Sequence, residues 1–327
     1  MRISCAFPPV PGTPDHIVLA EELGYDTAWV YDTPALQLDC WMTLALGAVR
    51  TDRIRLGPGV LIPTLRHPMT TAAAIATLVG LVGQDRVIVG AGTGFTGRRA
   101  MGQKPLSWKH FPGMVDQVRA LLRGEVVEVD GAATRMLHWP GQAVERPIEV
   151  PWVLGVNGPR GLAAAAAAGC GVFTSRPRPD ADYAGIDEVI LLGFGTILDD
   201  DESLDDPAVV ERAGPGVSVA YHAFYEQQDG RLDAMPNAAR FRELVDPLPE
   251  ATRHLDLHAG HLTVLNPIDR EVVSSEAMAI TPLTGHADEL PARLDRLAAQ
   301  GVTEVAFQPM GDIERELRAF ATAAGLG

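Results

Sequence analysis

A single-domain (β/α)8 barrel of the α/β class, carrying an inserted β-hairpin, is the fold this sequence predicts. Three observations lead there. Short apolar, β-branched runs alternate with helical patterns about eight times along the chain. No linker divides the 327 residues, although an open doubly wound sheet of this length would normally split into two domains. Two consecutive strands, the third and fourth, run into glycines: Gly57-Pro-Gly59 and Gly90-Ala-Gly-Thr-Gly94. Without a Cβ, such strand ends let the backbone approach a flat or anionic ligand closely. In a parallel barrel they lie at the C-terminal face, where active sites form.

Each element has its own signal. Residues 2–7 form the first strand, and the helix 15–23 follows Pro14 and stops at Gly24. Strand 27–31 closes on Asp32, and 41–50 is helical. The third strand spans 54–62 and is followed by the helix 70–81; the fourth is 87–90, followed by the helix 114–122. Residues 125–151 break the alternation. There Val126–Val129 and Thr134–Trp139 flank Asp130-Gly131, a hairpin turn pair, so an inserted ribbon is expected. The alternation resumes with strand 151–155, helix 160–168, strand 172–174 and strand 189–198. The acidic stretch 199–206 reads as a solvated loop, 217–227 as a helix, and the polar 228–250 as a surface excursion. Helix 291–300, strand 302–308 and helix 313–323 close one barrel domain spanning 1–327.

Composition narrows the function. Hydrophobic residues make up 46% of the chain and the mean hydropathy is +0.06, enough for a sizeable core. A net charge of −15 opposes phosphate-backbone binding, so no nucleic-acid partner is expected. Cys5, Cys40 and Cys170 are too scattered for a disulfide framework or a CxxC site, which fits a reducing cytoplasm. The N-terminus has no signal-peptide apolar region, and the longest apolar tract, 69–83, is too short and polar to span a bilayer.

Several polar residues invite a role. Asp32 ends a strand and either caps the next segment or faces a ligand. His254, His258 and His261 follow an i, i+4, i+7 spacing that would share one helical face. Gly260 weakens such a helix and no nearby carboxylate completes the set, so no metal is expected. Asn157-Gly-Pro-Arg160 opens a helix whose unpaired amides and positive end suit an anion, with Gly158 opening the turn and Pro159 starting the helix. Arg160, Arg176 and Arg178 add positive charge in an acidic protein.

In order along the chain, further segments resemble one family. These are Leu19-Ala-Glu-Glu-Leu-Gly-Tyr-Asp-Thr-Ala-Trp-Val-Tyr-Asp32, Thr51-Asp-Arg-Ile-Arg-Leu-Gly-Pro-Gly-Val60, Arg66-His-Pro68, and Asp85-Arg-Val-Ile-Val-Gly-Ala-Gly-Thr-Gly94. Leu121-Leu-Arg-Gly-Glu-Val126, Val156-Asn-Gly-Pro-Arg-Gly161, Gly260-His-Leu-Thr263 and Gly301-Val-Thr-Glu-Val-Ala-Phe307 continue the series. The chain resembles the luciferase-like monooxygenase superfamily, the bacterial-luciferase-type barrels that use flavin or the deazaflavin coenzyme F420. The resemblance implies a non-prolyl cis peptide at Gly59–Val60, against which the cofactor ring lies. It further implies cofactor contacts from Phe7, Gly92 and Thr93, and a phosphate site formed by Gly158, Pro159, Arg160, Thr174, Ser175 and Arg176.

The glycine motifs and Thr174-Ser-Arg176 look most like the F420 branch, with FMN as the alternative. Members of that branch often place a histidine after the strand-two aspartate and a glutamate after the strand-four glycines. Here those positions are Thr33 and Arg99. Oxidation of an alcohol through that histidine is therefore not expected. Reduction of an activated C=C or C=N bond of a small-molecule or natural-product substrate needs only a hydride and one weak acid, supplied by Asp32, Tyr221, His222, Tyr225 or water. The resemblance also implies a homodimer through the second and third helices. The rival readings are an FMNH2/O2-dependent monooxygenase and a non-catalytic barrel subunit.

Overall fold

The computed structural model describes residues 1–176, 183, 185–279 and 281–327; Arg178 lies outside them. In chain order the elements begin with β1 (Arg2–Phe7), α1 (Thr13–Glu22), β2 (Thr27–Val30), α2 (Cys40–Ala48), β3 (Arg55–Pro58) and α3 (Pro68–Val82). Next come β4 (Val89–Gly92), α4 (Phe95–Arg99), α5 (Phe111–Arg123), the hairpin β5 (Val127–Val129) and β6 (Ala132–Thr134), then β7 (Trp152–Gly155), α6 (Pro159–Ala167), β8 (Gly171–Thr174), β9 (Val189–Phe194) and β10 (Ile197–Leu198). A helical stretch follows: α7 (Pro207–Glu226), α8 (Ala238–Val245), α9 (Arg253–Leu257), α10 (Pro267–Val272) and α11 (Ser275–Met278). The chain finishes with β11 (Gly285–His286), α12 (Leu290–Ala299), β12 (Glu304–Gln308) and α13 (Ile313–Ala324).

Eight parallel strands form one sheet in the order β3-β2-β1-β12-β9-β8-β7-β4. Its two ends meet. Ile88 N–H donates to the Leu56 carbonyl at 3.2 Å, and Leu61 N–H to that of Gly90 at 2.8 Å, closing a barrel. Gly57 is required at this seam, because a Cβ there would lie 1.8 Å from the Ile88 carbonyl oxygen. Alternation along each strand separates two apolar layers. Cys5, Phe7, Val30 and Phe307 face the helices, while Ala6, Trp29, Tyr31, Ile88, Val153, Phe173, Ile190 and Ala306 fill the lumen. Arg2, Arg55, Glu188 and the fully buried Glu304 form a network of ion pairs at the N-terminal end of the barrel.

Several expected elements differ. The third strand is not continuous over 54–62: it stops at Pro58 and resumes as an isolated bridge at Leu61, with the Gly59–Val60 peptide cis. The hairpin pairs only β5 with β6, around Asp130 and Gly131 at φ 50° and 79°. Residues 189–198 divide, because Gly195 brings the chain against Leu283 and β10 leaves the barrel to pair with β11. The helix expected from 217 begins at Pro207. Gly214-Pro-Gly216 reads as a breaker, yet Pro215 lies inside α7. Its flanking glycines let the helix approach closely: a Cβ on Gly214 would lie 3.1 Å from Leu265, and one on Gly216 2.7 Å from Phe194.

Residues 199–206 are not simply solvated, since Glu202 accepts from Arg212 of α7 and Asp199 pairs with Arg315. Burial opposes the Glu202 charge, but the Arg212 bonds outweigh it and lower its pKa to about 2. Within the stretch 228–250, Leu232, Phe241 and Val245 are fully buried. With Tyr221, Leu257 and Met278 they form a second core among α7–α11. Among the described residues, no helix is long and apolar enough to cross a membrane.

Candidate active site

The C-terminal mouth of the barrel has a floor of backbone. The cis peptide at Gly59–Val60 turns the Val60 side chain across three glycines. A Cβ on Gly90 would lie 2.9 Å from Val60 Cγ1; on Gly92 and Gly155 it would lie 2.5 and 3.4 Å from Val60 Cγ2. Beneath it stands Trp29. A Cβ on Gly59 would sit 2.8 Å from that of Trp29, so only glycine lets the bulge rest on the indole. The indole is fixed in turn, donating from Nε1 to Glu304 at 3.2 Å and meeting Phe173 edge-on at 5.1 Å. The result is a flat, apolar shelf of glycine backbone surfaced by the Val60 side chain, of the kind a planar ring system needs.

An anion cradle adjoins the shelf at β7 and β8. Asn157 Oδ1 accepts from Thr174 Oγ1 at 2.9 Å and from the Ser175 amide at 3.2 Å, tying the strand-eight turn to the start of α6. No side chain caps that helix, Pro159 stands in its first turn, and nothing lies within 4 Å of where a Gly158 Cβ would be. Arg160, Ser175 and Arg176 are exposed around this open amide terminus. Thr174 is buried and its hydroxyl accepts the Arg176 amide at 3.1 Å. Gly158, Pro159, Arg160, Thr174, Ser175 and Arg176 are thus brought together. Thr93, partly buried, sits at the turn after β4, where its carbonyl accepts the Leu106 amide. Phe7 is a correction: the pleat turns it outward, toward His16 of α1 with ring centroids 6.1 Å apart, and it does not face the mouth.

The expected proton donors are all engaged. Asp32 is buried, accepts the Ile62 amide at 3.2 Å and pairs with Arg66 at 2.7 Å. Arg66 also reaches Asp39 at 2.7 Å, the residue that caps α2. Burial works against the Arg66 charge, but bonds to Asp32 and Asp39 outweigh it and raise its pKa. Asp32 therefore steadies the chain leaving the cis bulge. Tyr221 donates to the Pro236 carbonyl at 2.6 Å, and burial pushes its phenol up to about 12. Tyr225 donates to Asp246 at 2.8 Å and lines a cavity of about 520 Å³ between α7, α8 and α9. That cavity carries Glu226, Asp229, Asp233, Asp246 and Glu250 against Arg242 and Arg253, a lining ill suited to a phosphate-bearing ligand.

His222 joins a buried cluster with His258 and His261. Its Nδ1 lies 3.1 Å from His261 Nδ1, and that of His258 lies 3.3 Å from the same atom. Burial, then the neighbouring His222 and His258, hold the His261 pKa well below the usual imidazole value. His254 stands apart, its ring beside Gly102. Sequence reasoning missed three mouth residues: Tyr31, Gln308 and Leu262. Tyr31 donates to Gln308, whose amide donates to the Leu262 carbonyl at 2.8 Å. Leu262, at φ 64°, packs on the lumen cluster with Val60. The Gly260-His-Leu-Thr263 motif was the available signal for it.

Residues 8–189, more than half of the chain, match the family described as luciferase-like monooxygenase. The chain belongs to that family. It is thus an enzyme of the flavin- and F420-dependent oxidoreductases, on a TIM-type barrel. A 5,10-methylenetetrahydromethanopterin reductase of Archaeoglobus fulgidus is 27% identical over 316 residues, covering 90% of this chain and 89% of that one. An F420-dependent glucose-6-phosphate dehydrogenase of Beutenbergia cavernae is 32% identical over 166 residues, 44% of this chain and 46% of the relative. Among solved structures, the coenzyme F420 dependent tetrahydromethanopterin reductase from Methanopyrus kandleri superposes with a TM-score of 0.66 at 19% identity, covering 99% of this luciferase-like chain and 98% of the other.

Proposed function

We propose that this luciferase-like enzyme is a coenzyme F420-dependent reductase that delivers a hydride to an activated C=N bond of a small molecule. One observation carries the reading: the shelf of Gly59, Val60, Gly90, Gly92 and Gly155 continues into the amide-and-arginine cradle at Gly158–Arg160 and Thr174–Arg176. A ring would rest on the first while an anionic arm is held by the second. When bound, reduced F420 supplies a hydride and no oxygen chemistry. The full-length likeness to a methylenetetrahydromethanopterin reductase supports reduction over oxygenation. The state of Asp32, Tyr221, His222 and Tyr225 favours a C=N over a C=C acceptor. A cationic C=N bond accepts hydride without a proton, whereas a C=C bond needs both. Each of those four groups is already bonded within the protein. Trp29 and Val60 orient the ring, the Asp32–Arg66 pair steadies the bulge, and Leu262 with Tyr31 shields the mouth from water.

A side-by-side fluorescence titration of the apo-protein with oxidised F420 and FMN tests the cofactor. Binding of F420 alone is the expected result; preference for FMN would move the enzyme to oxygen-dependent chemistry. Arg176→Ala should weaken F420 binding about tenfold, by loss of one charge-assisted hydrogen bond. The deficit should shrink as salt is added. An unchanged Kd would remove Arg176 from the site.

The same proposal includes a homodimer through α2. Leu38, just before α2, and Met42, Leu46 and Val49 are 55%, 71%, 55% and 64% exposed, and the i, i+4, i+7 spacing of the last three puts them on one side of the helix. The double variant Met42→Asp, Leu46→Asp should raise the dimer dissociation constant at least about 100-fold, read by sedimentation. A monomeric wild-type protein would rule the dimer out.

A further inference from the structure

We propose that His222, His258 and His261 form a divalent metal site of the zinc class, which fastens the 258–266 segment over the barrel mouth. One ring nitrogen of each histidine lies within 4.8 Å of the others, and all three side chains are buried. Four-coordinate zinc with Zn–N bonds of about 2.05 Å sets its ligand nitrogens about 3.3 Å apart. The two resolved edges, 3.1 and 3.3 Å, already match, and one ligand atom of each ring lies within 4.8 Å of the others.

Tautomers make the case independent of spacing. His222 Nε2 faces Asp269 at 2.8 Å and His258 Nε2 faces Glu226 at 3.0 Å. A carboxylate only accepts, so each Nε2 carries a hydrogen and each Nδ1 is turned to His261 Nδ1, where with both rings neutral it offers a bare lone pair. If His261 carries its proton there, one hydrogen must serve two acceptors, and its buried Nε2 has no donor. If the proton is on Nε2, three lone pairs face one another. A cation among the three Nδ1 atoms takes all three lone pairs. Asp269 and Glu226 then hold the ring orientations, as carboxylates behind ligating histidines do, and supply two negative charges opposite a divalent ion. Among the described residues three protein ligands converge, which leaves the fourth position to water.

The chain positions give the site its role. His222 lies on α7, whereas His258 and His261 flank the turn that carries Leu262 to the lumen. Asn266, a few residues on, starts α10 with a capping box to Asp269, which in turn holds His222. A metal would therefore lock the mouth-covering loop to the long helix.

Metal analysis of the purified chain, after incubation with zinc sulfate and gel filtration, should give one zinc per chain. Zinc should raise Tm by about 4 °C at a hundredfold excess over Kd, reversed by chelator. Cobalt(II) in its place should show the intense visible bands of a tetrahedral site. His261→Ala should retain no zinc and lose the Tm response. A wild-type protein that holds no zinc and melts unchanged would overturn the proposal, as would full zinc retention by His261→Ala. Neither readout depends on F420, so failure here leaves the reductase reading standing.

Discussion

Gly155→Leu should weaken F420 binding by about 10- to 100-fold while leaving the barrel folded. Both halves of that expectation come from one position. A Cβ on Gly155 would lie 3.4 Å from Gly92 Cα and from Val60 Cγ2, and 3.6 Å from the Ala91 carbonyl oxygen. Those are ordinary contacts, so the methyl group of Gly155→Ala fits and binding should stay close to wild type. The further carbons of leucine would extend from that Cβ beside Val60, toward the space where a ring would rest. The neighbouring glycines do not give this separation. At Gly92 the Cβ itself would be 2.5 Å from Val60 Cγ2, and at Gly59 it would strike Trp29. Substitution there mixes lost binding with lost packing. Fluorescence titration of the three proteins, with thermal melts beside it, separates the effects. Wild-type affinity in Gly155→Leu would show that the ring lies elsewhere.

The barrel was legible because its signals are local. A strand buried on both sides reads as a β-branched run, and a helix on the outside reads by period, whatever they later touch. The glycine-ended strands were legible for the same reason, and the cis Gly59–Val60 peptide expected from the resemblance is present. What failed depends on packing between distant segments. Residues 207–216 fall outside the expected helix, where Gly214-Pro-Gly216 contradicts helix propensity, and contacts with Leu265, Val273, Phe194 and Met310 give those glycines a purpose. The stretch 228–250 is polar on its exposed side, and Phe241 and Val245 become core only once α7 supplies their partners.

Side-chain direction was the other weak point. Phe7 stands at a strand end, but one step of pleat decides whether it faces cofactor or helix, and it faces helix. The histidines illustrate both limits. Periodicity grouped His254 with His258 and His261, whereas the fold replaces it with His222, 36 positions away from His258 in the chain. The carboxylates that looked absent, Glu226 and Asp269, come from α7 and α10.

The largest loss of stability is expected far from the mouth, at Glu304. This carboxylate is fully buried and accepts from Arg2 Nε at 2.9 Å, Arg55 Nη2 at 3.0 Å and Trp29 Nε1 at 3.2 Å. Glu304→Ala removes the acceptor common to two cations and an indole. Arg2 and Arg55 keep Glu188 and some contact with water, since their side chains are 39% and 20% exposed. That places the cost toward the lower end for a broken buried pair, about 3 kcal/mol. For a chain of this size it amounts to about 4 °C in Tm. Glu188→Ala, removing a 20%-exposed carboxylate with no indole bond, should cost less. Glu304→Gln keeps an acceptor for Trp29 and should fall between. The consequence for function follows from what Trp29 carries: the Gly59 bulge rests on its ring. Once Nε1 loses its partner, the indole is free to tilt, and the shelf above it loses its level. Glu304→Ala should therefore bind F420 less tightly than Glu188→Ala, even at a temperature where both are fully folded. Equal affinity in the two variants would confine Glu304 to holding the barrel closed and take Trp29 out of the support of the site.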